Sequence, residues 1–329
     1  MNVDRALQDI LATPKNIVIT SHQKPDGDAL GSSLALYGFL TAHHHKVDVI
    51  FPTDFPDYYD WMPFIDITQI ANKTDAQKAS FINADLIFCL DFNSIDRVEE
   101  VKEQINESKA IKVMLDHHLK PQLFCDYNYS SPKSSSTSEM VYDFIVAIDK
   151  EYRMSKEVAE CIYTGILTDT GGFQFSCTSN ATHIVASKLL EAGIEPDIIF
   201  NNCYNNFSLD RLKLFGFCLD QKLKIIRDSV AYICIGPEEK KKFNIQEGDT
   251  EGLVNFPLKI DNIGISVLFK QDEGKIKISL RSKHQIDVSA IAREHFHGGG
   301  HRNASGGTSY ESMEKTIEKF EKIIHELIL

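Results

Sequence analysis

Ile17-Val18-Ile19-Thr20, a short β-branched run, leads through His22-Gln23-Lys24-Pro25-Asp26-Gly27-Asp28 into an apolar helical pattern from Ser32 to Leu40. A strand, a glycine-containing turn and a helix in that order are the first half of a βαβ unit. Further strand-like runs follow at Val47–Phe51, Leu86–Leu90 and Ile111–Leu115, with helical segments between them. This alternation predicts an α/β fold with an N-terminal, mainly parallel sheet flanked by helices. In such sheets ligands bind beyond the carboxyl ends of the strands. Helices are expected at 136–149, opened by the capping-box pattern Ser136-x-x-Glu139, at 156–168 and at 182–192 before Gly193.

Past Pro196, the stretch Asn201-Asn202-Cys203-Tyr204-Asn205-Asn206 reads as a connection, and the pattern then changes. Val230–Ile235, Ile263–Lys270 and Lys275–Leu280 are expected strands, the last two joined by a turn at Asp272-Glu273-Gly274. A helix over Val288–His295, a glycine-rich loop and a charged closing helix complete a smaller C-terminal α+β domain.

The chain has 329 residues, which suits two domains better than one. With 25% charged and 43% hydrophobic residues it has the composition of a globular protein. No apolar run approaches the roughly 18 residues of a membrane span. The N-terminus reads as an acidic amphipathic helix and not as a signal peptide. Seven scattered cysteines without a C-x-x-C pair fit buried free thiols and a cytoplasmic location. The net charge of −12 argues against a protein that coats long nucleic acid. All of the acidic excess lies in residues 1–210, since the remainder is slightly basic; there it is either a solvated surface or a carboxylate cluster offset by metal ions.

The positions of the acids favour the cluster. His22, Asp26 and Asp28 follow the first strand, Asp91 follows Leu86–Leu90, and Asp116-His117-His118 follow Val113-Met114-Leu115. Asp169 ends the helical segment Gly165-Ile166-Leu167-Thr168. A lone aspartate at a strand end is usually a turn or cap residue. An imidazole with two acids at H-x-x-x-D-x-D spacing exceeds what capping needs. Parallel strands would bring the first three groups to one sheet edge. Converging carboxylates raise one another's pKa unless cations neutralise them, and mixed imidazole and carboxylate donors suit Mn²⁺, with Mg²⁺ or Co²⁺ as substitutes. His43-His44-His45, without acidic neighbours in sequence, is expected to be a solvated turn.

These segments resemble the motifs of the DHH phosphoesterases: His22-x-x-x-Asp26-Gly27-Asp28, Asp91, Asp116-His117-His118 and Asp169. Gly298-Gly299-Gly300-His301-Arg302-Asn303-Ala304-Ser305-Gly306-Gly307 looks like the glycine-rich signature of the DHH-associated domain. The resemblance implies a catalytic domain over 1–193, a linker over 194–212 and a substrate-binding domain over 213–329. It implies two divalent ions, one on His22, Asp26 and Asp91, the other on Asp28, Asp91, His117 and Asp169, with Asp91 as bridge. Asp116 would fix a ligand imidazole, and His118 would stay free of metal beside the scissile phosphate. Arg281, Gly298, Gly299, Gly300 and His301 would hold a phosphate, with Asn303 on the same substrate side.

The activity implied is hydrolysis of RNA oligonucleotides of about two to five residues, whose few phosphates such a site can grip, to 5′-mononucleotides. Dephosphorylation of 3′-phosphoadenosine 5′-phosphate would accompany it. Long duplexes and membranes are not expected partners; a homodimer is among the expected states. Two alternatives stand beside this reading: hydrolysis of a cyclic or linear dinucleotide such as c-di-AMP or pApA, and a non-catalytic metal or nucleotide sensor.

Overall fold

The computed structural model describes residues 1–72, 74–246 and 248–326 of the chain, which form two compact units, Met1–Asn206 and Phe207–Leu329. In the first unit the elements run α1 (Arg5–Leu11), β1 (Asn16–Ser21), α2 (Gly27–Ala42), β2 (Lys46–Phe51), β3 (Thr68–Ile70), α3 (Asp75–Asn83), β4 (Leu86–Leu90), α4 (Lys102–Glu107), β5 (Ile111–Asp116) and β6 (Tyr127–Ser130). Four helices follow, α5 (Thr137–Ile148), α6 (Lys156–Asp169), α7 (Asn180–Leu190) and α8 (Pro196–Tyr204).

The sheet is wholly parallel, in the order β3-β2-β1-β4-β5-β6. Its central strands are apolar at consecutive positions because both faces are covered. Ile17, Ile19, Leu86, Phe88, Leu90, Val113 and Leu115 pack with Leu34 of α2, Phe144 of α5 and Ile162 of α6. Their alternate neighbours Val18, Ile87, Cys89 and Met114 pack on the opposite face with Phe81 of α3 and Ile105 of α4. The residue-by-residue alternation along each strand thus sorts one continuous apolar run into two separate cores.

The second unit comprises α9 (Leu209–Phe217), β7 (Lys224–Ile226), β8 (Val230–Ile235), α10 (Pro237–Lys242), β9 (Ile265–Asp272), β10 (Lys275–Ser282), α11 (Val288–His295), β11 (Gly299–His301), β12 (Ala304–Ser309) and α12 (Met313–Glu326). Its mixed sheet runs β11-β12-β10-β9-β8-β7, antiparallel except at β8–β9. No helix among the described residues is long and apolar enough to cross a membrane. The cysteines are all free; Cys89, Cys125, Cys161 and Cys218 are buried and Cys177 is exposed.

Three expectations gain detail. The stretch 194–212, expected as a linker, is largely helical: Pro196 occupies the first turn of α8, where its missing N–H costs nothing, and α9 begins at Leu209. The histidine run is solvated only in part: His43 and His44 form a turn in which His44 is exposed, but His45 is buried, its Nδ1 accepting from the Lys15 N–H at 3.1 Å. His43 does have an acidic partner, Asp149, with Nε2 and Oδ2 3.2 Å apart. The glycine-rich loop is the β11–β12 hairpin. A Cβ on Gly298 would lie 2.6 Å from the Gly307 Cα, and Gly300 sits at φ 137°, so the glycines serve close backbone approach within this hairpin.

Candidate metal centre

β1, β4 and β5 are adjacent, and the chain leaves each of them at the same sheet edge. His22 follows β1, Asp91 follows β4, and Asp116 closes β5 ahead of His117 and His118. Asp91 adopts the left-handed conformation, φ 64°, which aspartate tolerates better than most residues; its N–H donates to the Leu115 carbonyl at 3.0 Å.

The remaining acids come from helices. Asp26 caps α2, one carboxylate oxygen accepting from the N–H groups of Asp28 and Ala29 at 3.1 Å. Asp28 lies in the first turn of α2, and Asp169 is the last residue of α6. These helices can approach closely because Gly31 and Gly165 face each other: a Cβ on Gly31 would lie 2.9 Å from the Gly165 N, and one on Gly165 would lie 2.8 Å from Asp28 Oδ1.

Six of the expected ligands therefore converge in two groups. His22 Nε2 is 3.2 Å from Asp91 Oδ2 and 3.9 Å from Asp26. His117 Nε2 is 3.1 Å from Asp169 Oδ2, 3.6 Å from Asp91 Oδ1 and 3.9 Å from Asp28 Oδ2. His22, Asp26 and Asp91 form one cluster that could hold a metal ion, and Asp28, His117 and Asp169 form another. Asp91 turns one oxygen toward each.

Electrostatics fit cations here. Burial, and then the nearby Asp91 charge, push Asp28 up to about 7, against the pull of His117 and Ser138. Burial raises Asp169 well above the usual carboxylate range, aided by Asp28, Asp26 and Asp91. Burial alone would raise Asp91 too, but the hydrogen bond from His22 and the three surrounding imidazoles hold it below that range. His22 is raised: burial opposes its charge, but the Asp91 hydrogen bond and the Asp26 and Asp91 charges prevail. Buried acids that resist ionisation without a counter-charge are a donor set suited to divalent ions.

His118 is held from two sides. Its Nδ1 lies 2.8 Å from Asp116 Oδ1, and its backbone N–H donates to Asp116 Oδ2 at 3.2 Å. Asp116 thus fastens His118, not the ligand imidazole that the sequence suggested. On the other side Arg97 Nη1 is 3.2 Å from His118 Nε2. Since a guanidinium only donates, Nε2 accepts and the ring proton sits on Nδ1, facing Asp116.

Arg97 was not evident in sequence, nor were Thr137 and Ser138, which lie inside the capping-box pattern Ser136-x-x-Glu139. The N–H groups of both donate to Asp28, at 2.7 and 2.8 Å, and the Thr137 hydroxyl donates to Asp91 Oδ1 at 2.9 Å. Ser136 does cap α5, its hydroxyl accepting from the Glu139 N–H at 3.0 Å. The one available signal was the start of α5, since a helix N-terminus presents free donors to an anion.

In the second unit, Arg281 and His301 stand opposite Ala304 on either side of β12, so they share a face of the sheet, about 10 Å apart across two strand spacings. Burial lowers the Arg281 pKa. The Gly298 N–H donates to the Ala292 carbonyl at 3.0 Å, so it is committed to the fold and not free to cradle an anion. Asn303 likewise spends its side-chain N–H donors on Ser282, His284 and Ile286, which fastens the 282–286 turn.

Comparison with known proteins agrees with this geometry. The DHH family N-terminal domain matches residues 16–166 and the DHHA1 domain matches residues 227–328. A Streptococcus mutans protein named a probable bifunctional oligoribonuclease and PAP phosphatase NrnA is 30% identical over 94% of this chain and 95% of its own. The Bacillus subtilis protein named a bifunctional oligoribonuclease and PAP phosphatase NrnA is 26% identical over the same shares. The crystal structure of an exopolyphosphatase-related protein from Bacteroides fragilis superposes with a TM-score of 0.93 at 41% identity, covering 98% of this chain and 96% of that one. The RecJ–Mn²⁺ complex of Thermus thermophilus shares the fold alone, with a TM-score of 0.56 at 11% identity over 98% of this chain and 54% of RecJ. The chain therefore belongs to the DHH family of phosphoesterases and carries its DHHA1 domain.

Proposed function

We propose that the protein is a dinuclear-metal phosphoesterase that hydrolyses short RNA oligonucleotides to 5′-mononucleotides and dephosphorylates 3′-phosphoadenosine 5′-phosphate to AMP. The observation that carries the metal half of this reading is Asp91, whose two oxygens face different imidazoles, Oδ2 toward His22 and Oδ1 toward His117. A carboxylate so placed is the natural bridge between two ions. His22, Asp26 and Asp91 would hold one ion, and Asp28, Asp91, His117 and Asp169 the other, with Mn²⁺ the best match to this mixed donor set. When bound, such ions supply a hydroxide near neutral pH and offset charge on the phosphoryl oxygens.

The chain's own residues do the rest. Asp116 holds the His118 ring through Nδ1, so that in its doubly protonated form, with the Arg97 contact released, the imidazole would turn an Nε2–H toward the departing 3′-oxygen and stabilise or protonate it. The α5 N-terminus fixes the Asp28 carboxylate through two backbone donors. In the second unit, the Arg281 guanidinium and the neighbouring His301 are suited to binding a phosphate. The substrate class follows the names of the Streptococcus mutans and Bacillus subtilis relatives.

The test is a panel under Mn²⁺: 5′-labelled RNA dimers and pentamers, 3′-phosphoadenosine 5′-phosphate and c-di-AMP. RNA dimers and the bisphosphate should be consumed, with 5′-mononucleotides as the RNA products. Turnover of c-di-AMP alone, or binding without product on every substrate, would overturn the proposal.

A further inference from the structure

Arg97 is a half-buried cation at the rim of an acid-rich centre, yet it takes none of those acids as its partner. Among the described residues the hydrogen bond of its guanidinium goes to His118 Nε2, and its charge also bears on His22, working against protonation of that imidazole. It therefore lies within reach of two imidazoles that flank Asp91.

Its backbone is anchored as well. Arg97 ends a short 3₁₀ turn, Ile95–Arg97, six residues beyond Asp91. Its carbonyl accepts from the Gln23 N–H at 2.9 Å, so the loops leaving β1 and β4 are tied together at this residue. A guanidinium has five donors in a planar fork matched to phosphate. One of them is engaged with an uncharged nitrogen, the kind of partner that an anion can displace at little cost.

We propose that Arg97 binds a non-bridging oxygen of the phosphoryl group under attack, acting on the anion itself and not through His118. The inference rests on the phosphoesterase reading above. It adds a phosphate contact in the first unit, where the carboxylates alone would repel the substrate.

The experiment uses full-length, Mn²⁺-loaded Arg97→Met, Arg97→Lys, His118→Ala and the Arg97→Met/His118→Ala double variant. Three quantities are measured: bound manganese, calorimetric affinity for inorganic phosphate, and KM and kcat on an RNA dinucleotide. Arg97→Met should keep its manganese but bind phosphate ~10- to 100-fold more weakly, the size expected for a charge-assisted contact. Arg97→Lys should recover part of that loss, since charge returns without the fork. The loss should persist when His118 is already alanine.

Phosphate affinity within about twofold of the parent protein would overturn the proposal, as would an effect that vanishes in the His118→Ala background. Loss of manganese would also overturn it, by making Arg97 a support of the metal cluster. Because phosphate binding is read apart from turnover, failure of the parent protein to cleave RNA would sink the substrate assignment while leaving this test intact.

Discussion

Stripping divalent ions from this protein should make its first unit more stable at pH 5 than at pH 7. Burial and the Asp91 charge push Asp28 up to about 7 in the folded state, whereas an aspartate in an unfolded chain titrates near 4. Between pH 5 and pH 7 the folded protein thus holds a proton that the unfolded chain has released, and stability rises as pH falls through that window. Integrating over it gives ~2 kcal/mol from Asp28 alone.

Asp169 adds in the same direction, raised by burial and by Asp28, Asp26 and Asp91. So does His22, which is raised despite its burial: its contribution is present below its unfolded value and lost as pH climbs through the folded one. Asp91 does not oppose them, because it titrates below the window. Trp61, the single tryptophan, lies in the first unit and reports its unfolding. Thermal unfolding followed by its fluorescence in EDTA should show a midpoint higher at pH 5 than at pH 7 by about 4–8 °C. Added Mn²⁺ should raise the midpoint and invert the trend, since protons and cation compete for the same oxygens. A metal-free midpoint that is flat, or that falls from pH 7 to pH 5, would refute the argument that these acids are crowded and uncompensated.

Asp91→Ala should abolish turnover and lower bound manganese, measured by elemental analysis, because the proposed assignment makes this carboxylate the bridge between the two ions. Gly165→Ala places a methyl group 2.6 Å from the Ser138 Cβ and 2.8 Å from Asp28 Oδ1. It should cost ~1–3 kcal/mol in urea unfolding followed at Trp61 and weaken Mn²⁺ binding. His301→Ala should raise KM for the RNA dinucleotide severalfold and leave manganese content unchanged; steady-state kinetics with metal analysis checks both.

The parts of the fold legible in sequence were those in which local chemistry and tertiary packing agree. Leu86–Leu90 and Val288–His295 have the bounds their patterns suggest, since a doubly buried strand and a strongly amphipathic helix each carry an unambiguous period. Short β3, Thr68–Ile70, and β6, Tyr127–Ser130, are half-buried and polar, and they exist because a neighbouring edge was available to pair with. The partners of His43 and His45 are not visible in sequence because Asp149 and Lys15 are distant along the chain but near in space.

The site divides in the same way. Carboxylates and imidazoles at strand ends announce themselves by type and spacing, whereas Arg97 and the backbone donors of Thr137 and Ser138 do not: an arginine in a loop has no spacing signature, and an N–H has no letter. The glycines of 298–307 carry a second demand that a run of glycines does not announce: Gly298 and Gly300 allow the close backbone approach of a tight hairpin, which only register and contact distances reveal.

The sheet order explains why residues so far apart in sequence meet. The chain builds outward from β1 through β2 to β3, then returns to the other side of β1 with β4 and continues through β5 to β6. Successive connections therefore diverge between β1 and β4, and a crevice opens beyond their carboxyl ends. Asp91 stands at that divergence with a left-handed backbone, a conformation that a non-glycine residue adopts at some cost. Glycine would relieve that cost but bring no carboxylate. Asparagine would tolerate the backbone yet present one oxygen and one NH₂, and an NH₂ cannot be a metal ligand. Aspartate alone meets both demands, a tight reversal at the end of β4 and two equivalent oxygens spread toward His22 and His117. The left-handed backbone thus falls at the residue whose two oxygens face His22 and His117, at the point where the strand order reverses.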